Sequence, residues 1–189
     1  MSVKILDQKT LSENWYKLYK FTYAITDKHG NEIIQTREAY DRGNGATILL
    51  YNPKQRTVIL TRQFRLPTLV NGNAGGMLIE ACAGLLDRDN PEECIRRETE
   101  EETGYRVDQV RKIFDAYMSP GSVTEILHFF VGEYSADQKI GEGGGVDEDE
   151  DIEVIEKDFE TAYAMIASGE IRDAKTIILL QYAKLNQLL

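Results

Sequence analysis

RRETEEETGY, residues 96–105, sets glutamate at four of the five positions from 98 to 102, just ahead of a glycine. The preceding Asn90-Pro91-Glu92-Glu93 reads as a helix start. Asparagine caps well, proline suits the first helical position, and Glu93 falls where a capping box carries its acid. Gly104 fits a left-handed stop. The spacing predicts a helix over 91–103 whose last turn holds Glu100, Glu101 and Glu102. That end of a helix carries partial negative charge and favours cations. At about 100° per residue, Glu98, Glu101 and Glu102 share one face, while Glu100 points away. Carboxylates at i, i+4 lie roughly 6 Å apart, which gives about 2–3 kcal/mol of repulsion at an effective dielectric of 20 and less in full hydration. The macrodipole adds about 0.3–1 kcal/mol per charge. A solvated acidic face is the plain reading. A hard cation would remove both penalties, because Mg2+ takes carboxylate oxygens, water and phosphate oxygens. The sharper reading is therefore a Mg2+ site for phosphate chemistry.

Outward from that helix the chain alternates extended runs with turns. WYKLYKFTYAIT (15–26) and EIIQTREAY (32–40) flank DKHGN and predict a hairpin. ATILLYN (46–52) and TVILTRQFR (57–65) are near-continuous apolar runs, as in strands buried on both faces. LVNGNAGGMLIEACAGLLD (69–87) is a glycine-rich loop leading into another strand, and 110–121 and 125–136 continue the sheet. KIGEGGGVDEDEDIE (139–153) is a glycine-then-acid loop. Two helices close the chain over about 158–168 and 174–188, the first stopping at Gly169 and the second capped by Asp173. The class is α+β, a mixed sheet layered between helices with an antiparallel strand extension at the N-terminus.

The 189 residues suit one domain with a small appendage. Twenty-two Lys and Arg against 32 Asp and Glu give a net charge of -10, which argues against nucleic acid and acidic membranes as partners. The two cysteines have neither zinc nor disulfide spacing. MSVKILDQKTLSENW lacks the apolar centre of a signal peptide, and no apolar run approaches the ~20 residues of a membrane span, so a cytoplasmic protein is expected.

GLLDRDNPEECIRRETEEETGY (84–105) resembles the signature box of the Nudix hydrolase family, G-x5-E-x7-R-E-U-x-E-E-x-G-U. Arg97, Glu98, Glu101, Glu102 and Gly104 fall on its strongest positions, with Thr99 and Tyr105 at the U positions. The box is one residue short between Gly84 and Arg97, and Asn90 or Asp89 stands where the first Glu belongs. Pro120, fifteen residues after Tyr105, is similar to the nucleotide-sugar branch. YDRGNGATILLYN (40–52), RQFR (62–65), LIEACAGLLD (78–87), SPGSVTEILHFF (119–130), GGGVDEDEDIEV (143–154) and GEIRDAKT (169–176) resemble the members of that branch that act on GDP-mannose.

That resemblance implies Mg2+-dependent hydrolysis of GDP-mannose to GMP and mannose 1-phosphate. An ADP-ribose or ADP-sugar pyrophosphatase is one alternative, and a non-catalytic nucleotide-sugar-binding module is another. It implies Glu98, Glu102, the Ala83 carbonyl and Glu150 as metal ligands, with Glu101 acting through water. Glu125 and Glu150 are the implied candidates for catalytic base. Substrate contacts are implied for Arg65, Ala83, Gly84, Leu85, Glu102, Glu125, Asp149, Glu150 and Lys175. Trp15, Thr36, Arg37 and Glu38 are implied to act across a homodimer, residues 1–42 being a dimerisation arm and 43–189 the Nudix domain. Ordinary roles compete throughout: a strand-end charge for Arg65, a surface lysine for Lys175, a sheet-edge ring for Trp15 and a solvated loop for 147–153.

Overall fold

The computed structural model describes residues 2–86, 90–146 and 151–189. Two compact units divide the chain, one of Met1–Asn44 with Tyr117–Ile126 and one of Gly45–Ala116 with Leu127–Leu189.

The first unit is an antiparallel sheet of β1 (Val3–Glu13), β2 (Lys17–Thr26) and β3 (Glu32–Asp41), with β2 in the middle. The expected hairpin is β2–β3, in register from Lys17↔Asp41 to Thr26↔Glu32. Its turn is fastened by the Asp27 carboxylate, which accepts the backbone N–H groups of His29 and Asn31 at 2.8 and 2.9 Å. Strand β1 adds to what the sequence predicts. Ten of its eleven residues are exposed, so β2 pairing, and not burial, holds it.

The second unit runs β4 (Gly45–Asn52), β5 (Thr57–Phe64), α1 (Leu66–Val70), β6 (Met77–Glu80), β7 (Ala83–Leu85), α2 (Pro91–Thr103), β8 (Val110–Tyr117), β9 (Ile126–Glu133), β10 (Glu153–Asp158), α3 (Phe159–Ser168) and α4 (Ala174–Leu185). Its mixed seven-stranded sheet follows the order β10-β5-β4-β9-β8, with β6 on β5 and β7 on β4. Strands β4 and β9 are parallel. As their apolar runs predict, β4 is buried at seven of its eight positions. Ala46, Ile48 and Leu50 project toward α2 and join Ile59, Ile95, Tyr105, Phe130 and Tyr134 in one core. Alternation sends Leu49 to the opposite face. Helix α4 packs against β4 and buries Leu179, Leu180 and Ala183. The short helix α1 and strand β10 have no counterpart in the sequence reading.

Helix α2 has the predicted bounds. Asn90 accepts from the Glu92 and Glu93 N–H groups, both at 3.0 Å, Pro91 follows, and Gly104 is left-handed with φ 74°. The carbonyls left over at its C-terminus are met by the glycine segment 141–145. Gly144 N–H donates to the Glu102 carbonyl at 2.9 Å and Gly145 N–H to that of Glu101 at 3.1 Å. These donors bring partial positive charge to the helix end that carries the acids. The approach requires glycine at 143, where φ is +72° and a Cβ would stand 2.4 Å from the Glu102 carbonyl oxygen. Gly143→Ala is expected to destabilise by about 2–4 kcal/mol, against about 1 kcal/mol for Gly72→Ala, whose surroundings are open. Denaturant titration of the two variants checks the difference, and equal losses would mean that the segment does not bear on the helix.

Candidate active site

Strand β7 and helix α2 meet through backbone. Pairing of β7 with β4, Ala46↔Gly84 and Thr47↔Ala83, fixes the strand in the sheet. Its Ala83 N–H donates to Glu102 Oε2 at 3.3 Å. A Cβ on Gly84 would lie 2.1 Å from the Glu98 carboxyl carbon, so the glycine leaves the space in which that acid rests over the strand. Two of the predicted ligands, Glu98 and Glu102, thus sit on Ala83 and Gly84. Glu102 is 5% exposed. Burial pushes its carboxyl up to about 7 and the Glu98 charge adds to this, against Cys82, the Ala83 N–H and Arg65.

The remaining acids of the run have arginine partners. Arg97 reaches Glu98 at 3.0 Å and Glu101 at 2.9 Å. Glu100 faces elsewhere, as helical spacing predicts, and takes both donors of Arg106 at 2.8 and 2.9 Å. Among the described residues no group of three or more His, Cys, Asp or Glu side chains stands at metal-holding distance. The predicted ligand Glu150 and its neighbour Asp149 lie outside the described residues, as does Asp89. The donors present nonetheless fit a hard divalent cation. They are carboxylate oxygens, one of them buried and burdened by its own charge, in a cradle that a Cβ at 84 would fill.

Next to this face lies a cluster whose centre sequence reasoning missed. Glu80, at the end of β6, is 2% exposed. Its carboxylate accepts from Arg65 Nε at 2.7 Å and Nη2 at 3.1 Å, and from Lys175 Nζ. Lys175 also pairs with Asp173 at 3.1 Å. Asp173 caps α4 as predicted, accepting the Thr176 N–H at 3.0 Å, and the Thr176 hydroxyl takes the Ala81 N–H at 2.6 Å. Burial opposes the Glu80 charge, but Lys175 and Arg65 outweigh it and bring the carboxyl down to about 2. Arg65 and Lys175, both expected at the substrate, are thus brought together by an acid. The available signal was the acid itself, a lone charge inside the apolar run MLIEACAGL.

The other predicted residues belong to the first unit. Glu125 is largely buried and pairs with Arg42 at 3.6 Å. Asn44 accepts the Ile126 N–H at 2.9 Å, which holds the chain just after Glu125. Thr36, Arg37 and Glu38 are exposed on β3, opposite Thr22, Phe21 and Lys20 of β2. Trp15, in the β1–β2 turn, is 79% exposed.

Across this sheet, this helix and their acids, the sequence model of the NUDIX domain matches residues 41–177. The chain belongs to the Nudix family. Family members in general depend on a divalent metal. Residues 2–40 match the model described as the GDP-mannose pyrophosphatase NudK N-terminal domain. This Nudix chain is 62% identical over its full length to all of a Yersinia enterocolitica protein named GDP-mannose pyrophosphatase. A Shigella dysenteriae protein of the same name is 58% identical, with 99% of this chain and 97% of that one covered. The crystal structure of an ADP compounds hydrolase superposes with a TM-score of 0.75 at 16% identity, covering 100% of this chain and 98% of the other, which establishes a shared fold. No helix among the described residues is long and apolar enough to cross a membrane.

The Glu80 ion cluster has a pH signature. A carboxyl whose folded value is depressed adds stability above its unfolded value of about 4.3 and loses it as pH falls toward about 2. Glu80→Ala is expected to be about 3 kcal/mol less stable than wild type at pH 7, with the gap closing between about pH 4 and pH 2. Urea titrations across that range test this, and a gap independent of pH would remove the ionic account.

Proposed function

We propose that this chain hydrolyses the diphosphate of GDP-mannose, releasing GMP and mannose 1-phosphate, in a Mg2+-dependent reaction. The observation that carries the reading is the end-to-end similarity, at 58–62% identity, to proteins named GDP-mannose pyrophosphatase. The paired acids of α2 over the β7 backbone support it, since phosphoryl transfer works mainly by positioning and charge neutralisation. Glu98, Glu102, the Ala83 carbonyl and Glu150 would hold the cation, with Glu101 acting through water. A cation there offsets phosphate charge and lowers the pKa of its bound water. The burial of Glu102 supports its part, because a carboxylate raised to about 7 gains from an adjacent opposite charge.

Arg65 and Lys175 are the cations toward the diphosphate and nucleotide sugar in this reading. Ala83, Gly84, Leu85, Glu102, Glu125, Asp149 and Glu150 complete the substrate contacts, with Glu125 and Glu150 the two proposed bases. A cytoplasmic setting belongs to this reading, in keeping with two cysteines that lack disulfide spacing in the sequence. A second reading, ADP-ribose or an ADP-sugar as substrate, draws on Pro120 lying fifteen residues beyond Tyr105.

Turnover of GDP-mannose and ADP-ribose, with and without Mg2+, read as the phosphate that an added phosphatase releases from the monoester products, separates these readings. GDP-mannose turnover that requires Mg2+ is expected, and inactivity of folded protein in both conditions overturns the proposal. Glu102→Gln is expected to lower kcat by about 100-fold or more. The metal-free melting temperature of this variant should hold or rise, because its buried charge is gone. A fall in that temperature would make Glu102 a structural residue.

We also propose a homodimer in which Trp15, Thr36, Arg37 and Glu38 of each chain complete the site of the other. Support comes from the first-unit sheet, which exposes Val3, Ile5, Leu6, Leu11, Ile33 and Ile34, an apolar surface suited to another chain. Arg37→Ala and Glu102→Gln are each expected to be inactive alone. Subunit mixing makes half of the dimers mixed, each with one intact site of two, so roughly a quarter of wild-type activity returns. Mixed dimers without activity would mean that Arg37 acts within its own chain.

A further inference from the structure

Glu80 is a carboxylate nearly sealed from solvent, at the end of a strand whose neighbours are apolar. Compared with an apolar residue of similar size, an ionised acid buried among cations gains a core little net stability, although removing one partner of the cluster is costly. Its contacts are specific in geometry. The carboxylate is bidentate to Arg65, using the Nε–Nη2 edge, and it also takes a proton of Lys175. No contact among the described residues engages Arg65 Nη1, and the side chain is 39% exposed. A guanidinium gripped along one edge keeps a fixed plane, with its remaining donors free for a second anion. Lys175 has three donors, of which Glu80 and Asp173 engage two.

The three residues come from different places, the junction between β5 and α1, the end of β6 and the first turn of α4. Glu80 is three residues before Ala83, on the chain that passes directly to β7. Arg65 and Glu102 lie within electrostatic reach of each other. The cluster therefore adjoins the α2 acids.

We infer that Glu80 is a positioning residue, which fixes the guanidinium plane of Arg65 and the ammonium of Lys175 so that they present donors to the diphosphate of a bound nucleotide. The inference rests on the diphosphate reading above, and it does not depend on which base or sugar is attached. Glu80 acts through these two cations and touches no phosphate itself.

The test is a double-mutant cycle in GDP binding, with ADP as a second probe, measured by calorimetry on folded protein with Mg2+. Glu80→Gln, which keeps the shape and removes the charge, is expected to weaken GDP binding about tenfold. Combining it with Arg65→Ala should weaken binding by less than the two single losses together, the part that remains being the loss through Lys175. Glu80→Asp should restore part of the affinity. With GDP-mannose, KM should rise more than kcat falls, a split that a purely structural loss would not give. Wild-type affinity in folded Glu80→Gln, or additive losses in the cycle, overturns the inference. So does failure of both Glu80 variants to fold, which would make the charge structural. Wild-type turnover tests the substrate reading separately. If GDP-mannose is not hydrolysed but GDP or ADP binds, the cycle still reads out, and if wild type binds neither, the inference falls.

Discussion

The hydrogen bond from the Ala83 N–H to the buried Glu102 carboxylate ties the last turn of α2 to the sheet, and the candidate site is organised about it. It joins two elements with opposite demands. Strand β7 is short and held by β4, so its backbone groups are fixed in direction. Helix α2 must bring carboxylates onto those groups from its negative end, where the dipole works against them. Gly84 leaves room for the Glu98 carboxyl, which a side chain at that position would displace.

The opposition is met locally, by different means for different acids. Glu100 is satisfied outside the site by Arg106, and Glu98 and Glu101 lean on Arg97. The carbonyls that produce the negative pole are capped by N–H groups of the 144–145 backbone. Glu102 is relieved incompletely, since Ala83 and Cys82 offset its burial only in part. An electrostatic deficit thus stays on the Glu102 carboxylate, where a cation would relieve it, while Glu100 and Glu101 are paired with arginines.

Much of this was legible because it is local. The bounds of α2 follow from Asn90, Pro91 and Gly104, each within a turn of what it caps. The separation of Glu100 from its neighbours follows from helical spacing. Strand β1 was not legible, since it stays exposed and its residues are ordered by pairing with Lys17–Thr26. Strand β10 follows directly on the acid run, and its partners from Thr57 to Arg62 are some ninety residues away. The pairing of Arg65 with Glu80 was likewise hidden. Arg65 had a plausible role of its own and Glu80 had none, and only the folding of β6 beside β5 brings them together.

Placed side by side, the two clusters make a graded arrangement of charge. Glu80 is saturated by cations and stays ionised, whereas Glu102 is under-compensated and resists ionisation. Environments that push two acids of one small region so far apart commonly divide their roles. An acid held down by Lys175 and Arg65 acts as a fixed anion that keeps those cations in place. An acid near 7 is sensitive to any cation that arrives. The chain from Glu80 to Ala83 is the covalent link between these environments, so displacement of β6 would move both a cation anchor and the carbonyl proposed as a metal ligand. The proposed diphosphate binding on the Arg65 side and the proposed cation binding on the Glu102 side would therefore share the short Glu80–Ala83 segment and a neighbouring charge, and each should favour the other.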